Sequence, residues 1–281
     1  MRRSTVLLIA TPLLLAASPA TTRPPAPEAA TPRASAAVRA RLAKELQVDS
    51  RTLDESARHL ILSEAVKQAP TEAGLCSLLS SASALHARLG ARLSETRDRL
   101  FALPPPREGE ADQLQAFGER MERADALMPG IALRVGAESL SHSVHYGELA
   151  RLAPQGSAAQ RLLEAVGSIW APPAGWPVYI EPQTDVSGCW KPGALVEPLR
   201  QTGAAWGEAH GCLQQLLTPV VQGAMQQALH TTCFCDGKAH VQRQLQQLAT
   251  AYETLALPDA KQAAAGARRL GQSTQVRFDC K

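Results

Sequence analysis

From about Ala34 onward, apolar residues recur every three or four positions, the period of helices that each turn one face to a core. The pattern predicts a short helix over residues 38–46. A second opens with a capping box, Thr52-Leu-Asp-Glu55, carries Leu53, Ala57, Leu60, Ile61 and Ala65 on one face, and stops at Pro70. The third is the clearest: Leu75, Leu78, Ala82, Leu85, Leu89, Leu93 and Leu100 form a stripe weakened only at Gly90 and ended by Pro104-Pro105-Pro106. A fourth places Leu114, Phe117, Met121, Ala124 and Met128 together and stops at Pro129-Gly130. Residues 131–152 read as a fifth helix, and Ser157-Ala-Ala-Gln160 caps a sixth that ends at Trp170. Short turns between such helices predict an antiparallel bundle.

The period fails over residues 171–198, which hold six prolines and one short extended run, Val178-Tyr179-Ile180-Glu181. A connection of this length in a folded chain is expected to be a functional loop or a joint. Helix resumes with Pro198 in a first turn and continues through Leu199, Trp206, His210, Leu213 and Leu217, with Pro219 set to kink or restart it. Asp236 is placed to cap a helix bearing Val241, Leu245, Leu248, Tyr252 and Leu255. A last helix over 259–270 ends at Gly271, followed by an extended tail. No internal repeat is evident.

The amino-terminal residues lack this periodicity. Arg2 and Arg3 precede an apolar run from Val6 to Ala17, and small residues follow at 16–20, which is the layout of a secretory signal. The run is interrupted by Pro12 and is shorter than the roughly 20 residues that span a bilayer. The expected organisation is therefore a signal peptide (1–20), a disordered Pro/Ala/Thr-rich leader (21–35), an N-terminal helical bundle (36–170), a Pro/Trp-rich connecting loop (171–198) and a disulfide-stapled C-terminal helical region (199–281). The fold class is all-α. The expected location is periplasmic or secreted, with no membrane span in the mature chain.

Composition supports the helical reading, since aromatics make up only 4% and Ala, Leu, Gln and Arg dominate after residue 34. Removing Arg2 and Arg3 from 29 basic against 26 acidic residues leaves 27 against 26, close to neutral with signs interspersed. That balance argues against nucleic acid, which calls for a clustered basic face.

Export changes the reading of the cysteines. There are six, Cys76, Cys189, Cys212, Cys233, Cys235 and Cys280, and an even number in an oxidising compartment predicts bridges. A bridge between Cys233 and Cys235 would close a strained one-residue ring, so each is expected to reach a separate partner. One would reach Cys280 and hold the tail. The other would reach Cys189 or Cys212, and Cys76 would take whichever remains and join the two halves. The competing reading makes His230, Cys233, Cys235 and His240 a tetrahedral zinc set, but the one-residue Cys spacing and the compartment favour bridging.

Other candidate chemistry is sparse. His142 and His145 would share a face if 131–152 were helical, forming a two-imidazole clasp for a metal or ligand. The bland reading of that pair is an exposed polar face. Glu181 and Asp185 form a carboxylate pair in the connecting loop of the kind that serves glycan hydrolysis, although such pairs arise often by chance. No nucleophile elbow or phosphate loop is present.

All four tryptophans fall between 170 and 206. Of these, Trp176, Trp190 and Trp206, with Tyr179, make either a local core or a recognition surface. The function this predicts is non-catalytic binding of another envelope or extracellular protein, as an adaptor, an inhibitor or immunity-type protein, or a secretion accessory, with no cofactor. Alternatives are an exported metal- or carboxylate-dependent hydrolase and a structural surface component.

Overall fold

The computed structural model describes residues 36–107, 109–135, 140–170, 191–209, 211–230, 233–234 and 236–278. The segments expected to be a signal and a leader, and most of the expected connecting loop, with Trp176, Tyr179, Glu181, Asp185, Cys189 and Trp190, lie outside the described residues, as do Cys235 and Cys280. The described elements are ten α-helices and one hairpin: α1 (Ala36–Leu46), α2 (Ser50–Gln68), α3 (Glu72–Phe101), α4 (Gln113–Asp125), β1 (Ile131–Val135), β2 (Leu140–Val144), α5 (Tyr146–Arg151), α6 (Ala158–Trp170), α7 (Gly193–Trp206), α8 (Gly211–Leu229), α9 (Lys238–Glu253) and α10 (Ala260–Gln272). The chain is mostly helical, and no described helix is long and apolar enough to cross a membrane.

The α3 stripe is buried from Leu75 to Leu93, so its sequence period corresponds to a real buried face. Its N-cap is Thr71, whose side chain accepts from the Gly74 amide at 3.1 Å. Ser157 caps α6 by accepting from the Gln160 amide at 3.1 Å, as its position predicts. Packing runs α1 to α2 and α4, α2 to α3, α3 to β2 and α8, and α6 to α5, α7 and α8, while α9 lies between α7 and α10. One apolar core extends through these contacts from Leu42 to Ala267. At its edge Arg123 of α4 donates to Glu45 of α1 at 2.9 Å, giving a nearly buried carboxylate a charged partner.

Several local expectations are corrected. The α2 N-cap is Asp49 rather than Thr52: its carboxylate accepts from the Thr52 amide at 3.0 Å and from the Thr52 hydroxyl at 2.9 Å. Asp236 does not cap α9, which starts after Gly237 without a side-chain cap. Pro198 lies inside α7, since helix already resumes at Gly193. The break falls after Trp206, and α8 continues through Pro219. Gly207 and Gly211 flank that break, and glycine is weak in a helix interior.

The larger correction is at 131–152, where an antiparallel hairpin replaces most of the expected helix and pairs Ile131 with Val144 and Leu133 with His142. Ile131 and Leu133 alternate onto the buried face of β1, a period of two that five-residue strands display only briefly. Two neighbouring elements fix the strands in place. The Asp125 carboxylate at the end of α4 accepts from the Leu133 amide at 2.6 Å, and β2 packs on α3. Gly130 turns the chain into β1 with φ +80°, a conformation that penalises any Cβ.

The bridge expected to join the two halves is Cys76–Cys212, which staples α3 to α8 with Cα atoms 6.1 Å apart. Cys233 is also disulfide-bonded. The tail runs beside it: Cys233 pairs with Arg277 in a parallel bridge, the Phe234 amide donates to the Arg277 carbonyl at 2.9 Å, and Phe234 stacks on Phe278 with centroids 5.6 Å apart.

Candidate binding cleft

A cleft of about 1110 Å³ opens where α3, α6 and α8 meet the β2–α5 junction. Its walls come from four separate parts of the chain: Ser83 and His86 from α3, residues 143–147 from the junction, Glu164, Gly167 and Ser168 from α6, and Gln215, Leu216, Pro219 and Val220 from α8. The Cys76–Cys212 bridge lies toward the amino-terminal ends of two of these walls, so it restrains how far α3 and α8 can separate.

Two glycines shape the floor. A Cβ on Gly167 would stand 3.0 Å from the Gly147 amide nitrogen and 3.6 Å from Tyr146 Cβ, so α6 and α5 approach backbone to backbone. A Cβ on Gly147 would meet nothing within 4 Å, which leaves room for a larger side chain at this lining position. Tyr146 beside it is buried, and burial pushes its phenol up to about 12, so near neutral pH the hydroxyl stays protonated as a donor.

His86 and His145 add imidazoles. The His86 Nδ1 lies 2.8 Å from the Ser83 carbonyl, an acceptor, so this nitrogen carries the proton. His145 precedes α5 as its N-cap without a side-chain cap bond, and its amide donates to the Gly130 carbonyl at 2.8 Å. Behind it Glu148 accepts from the Gly130 amide at 2.8 Å and stands 3.7 Å from His145 Nδ1. This lattice ties the cleft junction to the turn that starts the hairpin.

On α8, Pro219 has no N–H to give the carbonyl of Gln215, one turn back, and its ring crowds that carbonyl. Both residues are among those that line the cleft. On α6, Glu164 accepts from Gln160 Nε2 at 2.9 Å. The nearby Arg161 is turned to Glu208 instead, at 2.5 Å.

The residues singled out in the sequence are distributed differently. Trp206 is 6% exposed, and its indole is core rather than surface. His142 lies on β2 and His145 is the N-cap position of α5, so the pair does not share a helix face; His145 is among the described cleft residues. His230 follows the end of α8, while His240, in α9, stands 3.9 Å from Asp236 and 2.8 Å from Gln244 Nε2. Because Cys233 is in a disulfide, it has no thiolate to offer the alternative zinc set. Among the described residues no group of three or more His, Cys, Asp or Glu side chains is arranged to hold a metal ion.

Sequence reasoning missed His86, Glu164, Gln215 and Pro219 as site residues, because each belongs to an ordinary helix and only packing brings them together. It also missed His59. Thr52, Ser56, His59 and Ser63 are all buried on α2 at helical spacing, and that polar interruption of a core face was a readable signal. Comparison with known protein families, with curated proteins and with solved structures finds no match for this chain.

Proposed function

We propose that the protein is an exported, non-catalytic binding protein that seats a segment of another protein in the α3–α6–α8 cleft, as an adaptor, an inhibitor or immunity-type protein, or a secretion accessory. The observation that carries the reading is the cleft itself: about 1110 Å³, with Val144, Leu216, Pro219 and Val220 as apolar walls and hydroxyl, imidazole, amide and carboxylate side chains among the other lining residues. Ligand sites have this composition, because apolar area drives association while a few polar groups fix orientation. Export is supported by the amino-terminal pattern and by the Cys76–Cys212 bridge, since disulfides persist in oxidising compartments.

The test places a photo-crosslinking amino acid at Leu216 and, as a control, at the α9 position of Arg243, in cells that express the full chain. A discrete protein adduct at Leu216 that is absent at Arg243, and is lost when Gly147→Trp fills the cleft, is the expected result. Equal adducts at both positions, or an adduct indifferent to Gly147→Trp, would overturn the reading.

A further inference from the structure

Resting on that reading, we infer that the cleft selects a partner segment presenting a basic side chain among apolar residues. Glu164 is the one Asp or Glu among the described lining residues, which include the imidazoles of His86 and His145 but no lysine or arginine. Its contact among the described residues is the neutral amide of Gln160, and the closest cation in sequence, Arg161, is paired with Glu208. A carboxylate accepts at about four lone-pair sites; Gln160 takes one, and because Glu164 is exposed, solvent meets the rest. On α8, Pro219 deprives the Gln215 carbonyl of its helical donor, and both residues are among the cleft lining, so we take this carbonyl as the second acceptor. An occupant that covers Leu216 and Val220 removes water from both acceptors. It must then bring N–H donors of its own or leave these groups unsatisfied. A lysine or arginine flanked by apolar side chains meets both demands, whereas an acidic segment would face an unneutralised like charge.

The experiment selects displayed random heptapeptides on the mature, oxidised protein and keeps those that Gly147→Trp fails to retain. Lysine or arginine flanked by apolar residues should dominate this cleft-dependent pool. Individual winners should bind about two- to ten-fold more weakly to Glu164→Gln, in keeping with a partly exposed charge pair, and normally to Glu164→Asp. Pro219→Ala, which restores the missing N–H, should weaken them as well.

A cleft-dependent pool with no basic preference would overturn the charge selectivity and leave the binding cleft standing. No cleft-dependent pool at all would overturn both. A small apolar amine, dansylcadaverine, is titrated in parallel. Cleft-dependent binding as tight as that of the best peptide would make the occupant a small cation and overturn the assignment to a protein segment.

Discussion

His59, fully buried in α2, donates its Nε2–H to the carbonyl of Pro129 at 2.7 Å and accepts at Nδ1 from the Ser81 hydroxyl at 3.0 Å. A carbonyl can only accept, so the Pro129 contact fixes the neutral tautomer and leaves Nδ1 as the acceptor. One imidazole thus joins α2, α3 and the turn that launches the hairpin.

Burial lowers the His59 pKa from its ordinary 6.5, outweighing the Pro129 carbonyl and the charge of Glu148, which pull it up. Below pH 6.5 the unfolded chain takes a proton that the folded ring resists. Its contribution is therefore complete above pH 6.5 and declines as pH falls toward the depressed folded value, with a limiting slope of about 1.4 kcal/mol per pH unit. Urea unfolding between pH 7.5 and 5.5 should show this loss, and His59→Gln should flatten it while lowering stability at neutral pH. The lowered pKa values of Asp49, Glu197 and Glu253 act in a separate, more acidic window. A wild-type profile flat through pH 6 would refute the assignment.

The Cys76–Cys212 bridge closes a sequence separation of 136 residues. Replacing both cysteines by serine should cost about 2 to 4 kcal/mol of stability, read as a lower urea midpoint under oxidising conditions. Cleft ligands should also bind more weakly, because α3 and α8 carry facing walls. An unchanged midpoint would mean that the α3–α8 packing holds without the bridge.

Gly130 and Gly147 make a paired test of backbone and space. At Gly130 a Cβ would combine positive φ with collision into Leu149, so Gly130→Ala should destabilise by about 2 to 4 kcal/mol. Gly147→Ala adds a methyl group to open space in the first turn of α5 and should be neutral or stabilising by up to about 1 kcal/mol. Thermal melts of the two variants should therefore move apart; similar shifts would contradict the described turn.

Tyr252 is buried, and its hydroxyl donates to the Asp259 carboxylate with both oxygens at 3.2 Å, while Gln222 of α8 donates to the same carboxylate at 2.8 Å. Burial, ahead of the Asp259 charge, raises the phenol's pKa, so it remains a donor across the working pH range. Tyr252→Phe should cost about 1 kcal/mol, with a larger loss in Asp259→Ala, which strands both donors. Equal effects would show that Gln222 contributes nothing.

How far the fold could be read from the chain varied with how local its cause was. In α3, positions 75, 78, 82, 85, 89 and 93 are apolar in sequence and buried in the structure, because helical periodicity and core contact describe the same face. At 131–152 the residues include good helix formers, yet Asp125, α3 and the left-handed Gly130 favour strands. Those partners are remote from the segment's own pattern or invisible in it. The Asp49 cap was missed for a smaller reason: Thr52-to-Glu55 matched the capping-box pattern, while Asp49 three residues earlier offered the better acceptor.

By itself the sequence determined most of the helices and their apolar faces, though not the hairpin at 131–144, since propensity and periodicity act within a turn or two of the backbone. It did not determine whether Trp206 was core or surface, whether Cys76 would meet Cys212, or that Ser83, His145, Glu164 and Pro219 would border one cleft. Those were decided by tertiary structure, because each depends on which helix faces which, and that choice is made by packing over separations that no local pattern encodes.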